Sequence, residues 1–113
     1  MSPERAVVRL PSHDNIGNVV GVVHGGVTAT LIDAAGTLCL RPHLENPYED
    51  TTATINLNVN YLEAADSEDD VVAVGEVVRA GGSVGVSRLR AEQGDDLIAV
   101  GQGAYRLFGA GGG

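Results

Sequence analysis

Apolar positions change their spacing at residue 25 and again near residue 51, and those changes divide the chain into one helix and several strands. Residues 5–10 (Arg-Ala-Val-Val-Arg-Leu) read as a short strand stopped by Pro11. Residues 12–23 mix turn formers with β-branched side chains and favour neither element. From residue 25 to about 41, Val27, Leu31, Ala34, Ala35 and Leu38 recur at three- and four-residue intervals, which places them on one stripe of a helix. Gly25 and Gly26 stand at its first turn, and Pro42 ends it. Residues 42–50 read as an exposed loop.

The remainder alternates with period two. Ile55, Leu57, Val59 and Tyr61 share one face of a strand, with Thr54, Asn56, Asn58 and Asn60 on the other. A charged turn follows at residues 66–70. Residues 71–79 form the next strand, closed by Gly81-Gly82, then residues 83–92, a turn at 93–96, and a last strand at 97–108. Connections this short between consecutive strands predict an antiparallel meander. One helix followed by four long strands is an α+β layout, a single domain over residues 1–113 without repeats or a linker, and its glycine-rich end is expected to fray. The helix must hide its Val27/Leu31/Leu38 stripe against the concave face of the sheet. An open sheet with one helix leaves strand edges unpaired, which favours at least a dimer.

The composition narrows the functional classes. With 113 residues, 43% apolar, the chain is long enough for one packed core and not for two. Its net charge of -8 argues against nucleic acid and against anionic membranes, both of which need cations to neutralise them. All seven basic residues are Arg. An acidic, lysine-free surface suits concentrated salt, where screening removes self-repulsion, and it suits equally a genome that writes Arg for Lys. Cys39 stands alone, so no internal disulfide forms. No apolar run approaches the ~20 residues that span a bilayer. The N-terminus lacks a basic region leading into an apolar stretch, so the expected location is the cytoplasm.

The densest chemistry lies at residues 18–33. Paired glycines at a helix start let a ligand approach the backbone, and first-turn N–H groups there have no partner inside the helix. They can donate to a carbonyl oxygen as it gains negative charge. Asp33 falls two turns further on, roughly opposite the apolar stripe, on a face shared with Gly26, Thr30 and Thr37. Each feature alone has a plainer explanation: a solvated Asp, a tight turn, a structural His24. Other candidates are weaker. Cys39 has no recognisable partner and reads as a small buried residue. His13, His24 and His43 lack the spacing of a metal site, so no metal is expected. The carboxylates at 66–70 follow no calcium-loop pattern, and Gly81-Gly82-Ser83 has no following Lys for a phosphate loop.

Together, Asn18-x-x-Gly21-x-x-His24-Gly25-Gly26 and Leu31-x-Asp33 resemble the signature of the hotdog-fold acyl-CoA thioesterases. The nearest group is that of the PaaI-type phenylacetyl-CoA, thioesterase superfamily member 2 and Arthrobacter-type 4-hydroxybenzoyl-CoA enzymes. The resemblance continues through residues 54–62 and ends in Gly101-Gln102-Gly103-Ala104-Tyr105-Arg106. It implies an antiparallel sheet wrapped around one long central helix and hydrolysis of an acyl-CoA to a carboxylic acid and free CoA. It implies too that backbone N–H groups at Gly25 and Gly26 hold the oxyanion. Asp33 would be nucleophile or general base, Asn18 would position water or the thioester, and His24 belongs to the same turn. Thr54, with Thr51 and Thr52 beside it, matches a hydroxyl that assists the carboxylate. The site would lie between subunits of a homodimer or homotetramer. A thioester is already activated, so no cofactor is expected beyond the CoA of the substrate itself. The chain before the glycine turn is short for the family, so an N-terminal helix that often lines the acyl pocket is expected to be absent. Arg79, beside Gly81, Gly82 and Ser83, is the candidate grip on the CoA phosphates, and a solvated strand-end Arg is its plainer reading. A hotdog domain that binds acyl-CoA or another apolar ligand without turnover is the alternative. A hydratase would need an Asp/His pair in a motif not found here.

Overall fold

The computed structural model of the protein describes residues 5–11, 25–44, 51–65 and 69–108. Strand β1 is Arg5–Leu10, helix α1 is Gly25–Leu40, and a single 3-10 turn follows at Arg41–His43. The other strands are β2 (Thr51–Tyr61), β3 (Val71–Gly81), β4 (Val84–Gln93) and β5 (Asp96–Phe108). Pro42 lies inside the 3-10 turn, where its missing N–H is tolerated and the α-helix cannot continue. Both tight hairpins open on a glycine with positive φ, 60° at Gly82 and 59° at Gly94, which the first position of a two-residue hairpin loop often demands.

All five strands join one antiparallel sheet in the order β1-β3-β4-β5-β2. The three hairpin-linked strands form the expected meander, but β2 does not sit beside β3. It pairs with β5 at the opposite edge, so the connection after Tyr61 crosses the end of the sheet before β3 begins. Of the turn expected at residues 66–70, residues 66–68 lie outside the described residues.

Helix α1 lies on the concave face, chiefly across β3, β4 and β1. Ile32, Ala35, Cys39 and Leu40 are buried, as are Val71, Ala73, Leu89, Ala91 and Tyr105 on the sheet. This corrects the stripe expected from sequence. Leu31 is in the core and Val27 packs against it, but Leu38 is 45% exposed and the true centre lies about one position round the helix, along Thr28, Ile32, Ala35 and Cys39. The cause is close packing: a Cβ on Gly75 would stand 2.4 Å from the Ala35 carbonyl oxygen, so β3 meets the helix backbone itself. Small residues therefore hold the contact where large ones were expected.

Candidate active site at the rim of the helix and strand β2

Strand β2 does not alternate cleanly. Its register against β5 shifts between Thr54 and Asn56, a β-bulge that absorbs Ile55. Thr54 pairs with Tyr105 and Leu57 with Gly103, and directly opposed residues share a face. Thr54 thus lies on the inner side with Leu57 and Val59, not with Asn56 and Asn58 as strict alternation predicted. The bulge turns its hydroxyl towards the helix, where Thr54 Oγ1 donates to Asp33 Oδ1 at 3.1 Å, with Oδ2 at 3.4 Å.

Asp33 accordingly flanks the core rather than standing opposite it. It is half-buried, one position along from Ile32, and its carboxylate faces the rim between α1 and β2. A carboxylate has about four acceptor positions, and one hydroxyl leaves most of them open to a water or substrate. Thr52 is half-buried and Thr51 exposed, and neither is hydrogen-bonded to Asp33, which selects Thr54 among the three hydroxyls.

The tyrosine opposite Thr54 went unread as a site residue in the sequence. Tyr105 is fully buried, and its hydroxyl has no hydrogen-bond partner among the described residues. Burial first, then the negative charge of Asp33 and the approach of its carboxylate to the hydroxyl, push this phenol well above its ordinary pKa. A polar tip on the inner face of β5, two residues from Gly103, was the available signal.

Gly25 and Gly26 open the helix as expected. No acidic side chain occupies the first turn, so nothing of the helix's own neutralises its positive end. Gly26 is exposed, and a Cβ added there would meet nothing within 4 Å. Crowding inside the chain therefore gives no reason for glycine at this position. Seven residues of helix separate Gly26 from Asp33, about 10 Å of axial rise. Within one chain the carboxylate therefore stands about two helical turns from its own glycine turn.

An apolar groove of about 560 Å³ runs beside the same glycine turn, lined by Leu10, Gly26, Val27, Thr30, Leu31 and Ala34. Asp33 is not among its walls. Arg79 and the Gly81-Gly82-Ser83 turn sit at the β3–β4 hairpin. Arg79 is exposed, and no hydrogen bond joins this hairpin to Asp33. Asn18 and His24 lie outside the described residues. Cys39 is buried and free, its thiol held above its ordinary pKa chiefly by desolvation. No group of three or more His, Cys, Asp or Glu among the described residues is placed to hold a metal.

Comparison with known proteins gives these features a context. A family model described as the thioesterase superfamily matches residues 20–100. A Halobacterium salinarum protein designated a candidate esterase is 41% identical over 111 residues, covering 89% of this chain and 72% of that protein. Human acyl-coenzyme A thioesterase 13 is 26% identical over 80 residues, 71% of this chain and 55% of the human protein. The chain thus spans little more than half the length of that relative. A Bacillus halodurans protein solved with CoA has a TM-score of 0.80 and 27% identity, over 90% of this chain and 66% of the other.

Proposed function

The chain belongs to the thioesterase superfamily, with its hotdog fold and thioester hydrolase chemistry, and from that premise we propose that it hydrolyses an acyl-CoA to a carboxylic acid and free CoA. The observation that carries the reading is the rim-facing Asp33 carboxylate, oriented by Thr54 and open to a reactant. The CoA-bound Bacillus halodurans structure and the human acyl-CoA thioesterase support the choice of thioester.

The separation of Asp33 from the glycine turn within one chain supports a site shared with a second copy, and β2 offers the means to recruit it. Its outer edge pairs with no strand among the described residues, its eleven residues carry no charge, Pro or Lys, and Ile55 stands 58% exposed. An edge so unguarded is a template for another strand. We place a homodimer interface there, with tetramers as dimers of dimers. Each site then takes the glycine turn from one subunit and Asp33 from the other.

In this arrangement the Gly25 and Gly26 N–H groups receive the thioester oxygen as it becomes an oxyanion, at the positive end of the helix. The acyl chain occupies the apolar groove beside that turn. Asp33 either attacks the carbonyl carbon or takes the proton of a water that does so. The C–S bond then breaks, and the thiolate leaves and takes up a proton; on the direct route water then hydrolyses the mixed anhydride left on Asp33, releasing the acid and restoring the carboxylate. Water supplies the new oxygen, and the reaction needs no metal or organic cofactor. Asn18 and His24 keep their proposed places at the turn, and Arg79 with the β3–β4 hairpin is the proposed contact for the CoA phosphates. The free, buried Cys39 fits a reducing compartment such as the cytoplasm. No helix among the described residues is long and apolar enough to cross a membrane.

Thiol release from a panel of aromatic, short- and medium-chain acyl-CoAs tests the proposal. Turnover of one or more members is expected. Tight acyl-CoA binding with no thiol released would establish the non-catalytic alternative. Oxygen-18 water in a single turnover reports on the two routes: direct attack followed by water at the aspartyl carbonyl leaves the acid unlabelled and the label on Asp33, whereas the general-base route labels the acid and never Asp33.

A further inference from the structure

Tyr105 carries a buried side-chain oxygen without a hydrogen-bond partner among the described residues, and its surroundings are shaped to hold that oxygen in place. The residue is 0% exposed, on the inner face of β5, directly opposite Thr54. Its ring lies over Gly103 and reaches the helix at Gly36. A Cβ built on either glycine would stand 2.2 Å from the hydroxyl oxygen. Two positions, one in the strand and one in the helix, thus stay free of side chain around one hydroxyl. Phe would fill the ring's volume without burying an unpaired polar atom, so packing does not account for the oxygen.

The anion near this hydroxyl is Asp33, one helical turn before Gly36. Its charge, after burial, helps to keep the phenol protonated, the form that donates. Cys39 is the other titratable group acting on the phenol, with a weaker effect, and its thiol is already engaged with the Gly36 carbonyl and with Ser87. Thr54 reaches the carboxylate from β2, and Tyr105 lies beneath it from β5.

We infer that Tyr105 is a positioning residue for Asp33: its O–H is directed at the carboxylate, so that hydroxyls from β2 and β5 together fix the direction in which the carboxylate acts. The hydroxyl is sealed from solvent, so it works through Asp33 and not on the substrate. The inference rests on the catalytic reading of Asp33 given above.

Steady-state kinetics of the wild type, Tyr105→Phe, Asp33→Asn and the double variant, on whichever acyl-CoA is turned over, test it. Tyr105→Phe is expected to melt no lower than the wild type, to lose about tenfold in kcat with KM unchanged, and to add no loss on top of Asp33→Asn. Wild-type kcat in Tyr105→Phe, with Asp33→Asn inactive, overturns the inference and leaves Asp33 catalytic. A loss that multiplies with that of Asp33→Asn, or a raised KM, also overturns it. Full activity in Asp33→Asn instead defeats the proposed function and the inference with it. Should Tyr105→Phe not fold, 3-fluorotyrosine at position 105 keeps ring and hydroxyl and changes the proton's acidity. A changed kcat at constant KM is expected, and an unchanged kcat overturns the inference.

Discussion

Helix α1 meets the sheet through polar groups at two places of opposite character. Towards β4, Ser87 Oγ donates to the Gly36 carbonyl at 2.9 Å, and Cys39 Sγ lies 3.2 Å from both that carbonyl and Ser87 Oγ. These groups are buried, neutral and satisfied by one another. Towards β2, the Asp33–Thr54 contact is charged, lies at the rim and leaves acceptor positions free. A closed polar cluster spends its hydrogen-bonding capacity on holding helix to sheet, whereas an open one keeps capacity for a reactant. Seven residues of one helix, Asp33 to Cys39, hold both a closed polar contact and an open one, and exposure distinguishes them.

The sharpest way to break this contrast is to exchange the consequences of mutation at the two places. Asp33→Asn should lower kcat by about 10³ and leave the melting temperature nearly unchanged, as read by thiol release and calorimetry. A fall in stability without a fall in rate would assign Asp33 to the structural class. Gly26→Val comes next: the fold has room for the side chain, so stability should hold while kcat/KM drops about 10²-fold because the thioester no longer reaches the helix N–H groups. At the closed contact the expectation reverses. Ser87→Ala should cost about 1 kcal/mol in chemical denaturation and leave kcat per folded molecule intact.

The smallest effect is a pH dependence. Tyr105 is raised above the 10.0 of an unfolded tyrosine. Above pH 10 the unfolded chain therefore gives up a proton that the folded chain keeps, so stability present below that pH declines as pH rises towards the folded value. Tyr105→Phe should flatten this alkaline decline, measured as denaturation midpoints against pH. An identical decline in the variant would place its origin elsewhere.

What could be read from the sequence was local. Pro42 and the apolar spacing gave the helix its bounds, and Gly82 and Gly94 marked the hairpins, because each acts over a few residues. The partner of β2 is a choice between distant strands, and no period along the chain states that β5 is chosen over β3. The bulge at Ile55 is similarly invisible: alternation put Thr54 among the asparagines, and only the register against Tyr105 turns it inward. The helix stripe was misplaced by about one position because Thr28, Gly36 and Cys39 carry little apolar weight in the pattern, yet the close approach at Gly75 demands small neighbours there. Asp33 and the glycine turn were legible as a motif. The role inferred for Tyr105 was not, since a tyrosine on an inner strand face reads first as core.

The central claim is that Asp33 of one copy works with the Gly25-Gly26 turn of another, and subunit complementation tests it most directly. Asp33→Asn and Gly26→Val, each nearly inactive alone, are mixed and allowed to exchange subunits. Half of the resulting dimers are hybrids, each with one site carrying neither change, so about a quarter of wild-type activity should return. Exchange verified by mass spectrometry with no recovery of thiol release would contradict the shared site.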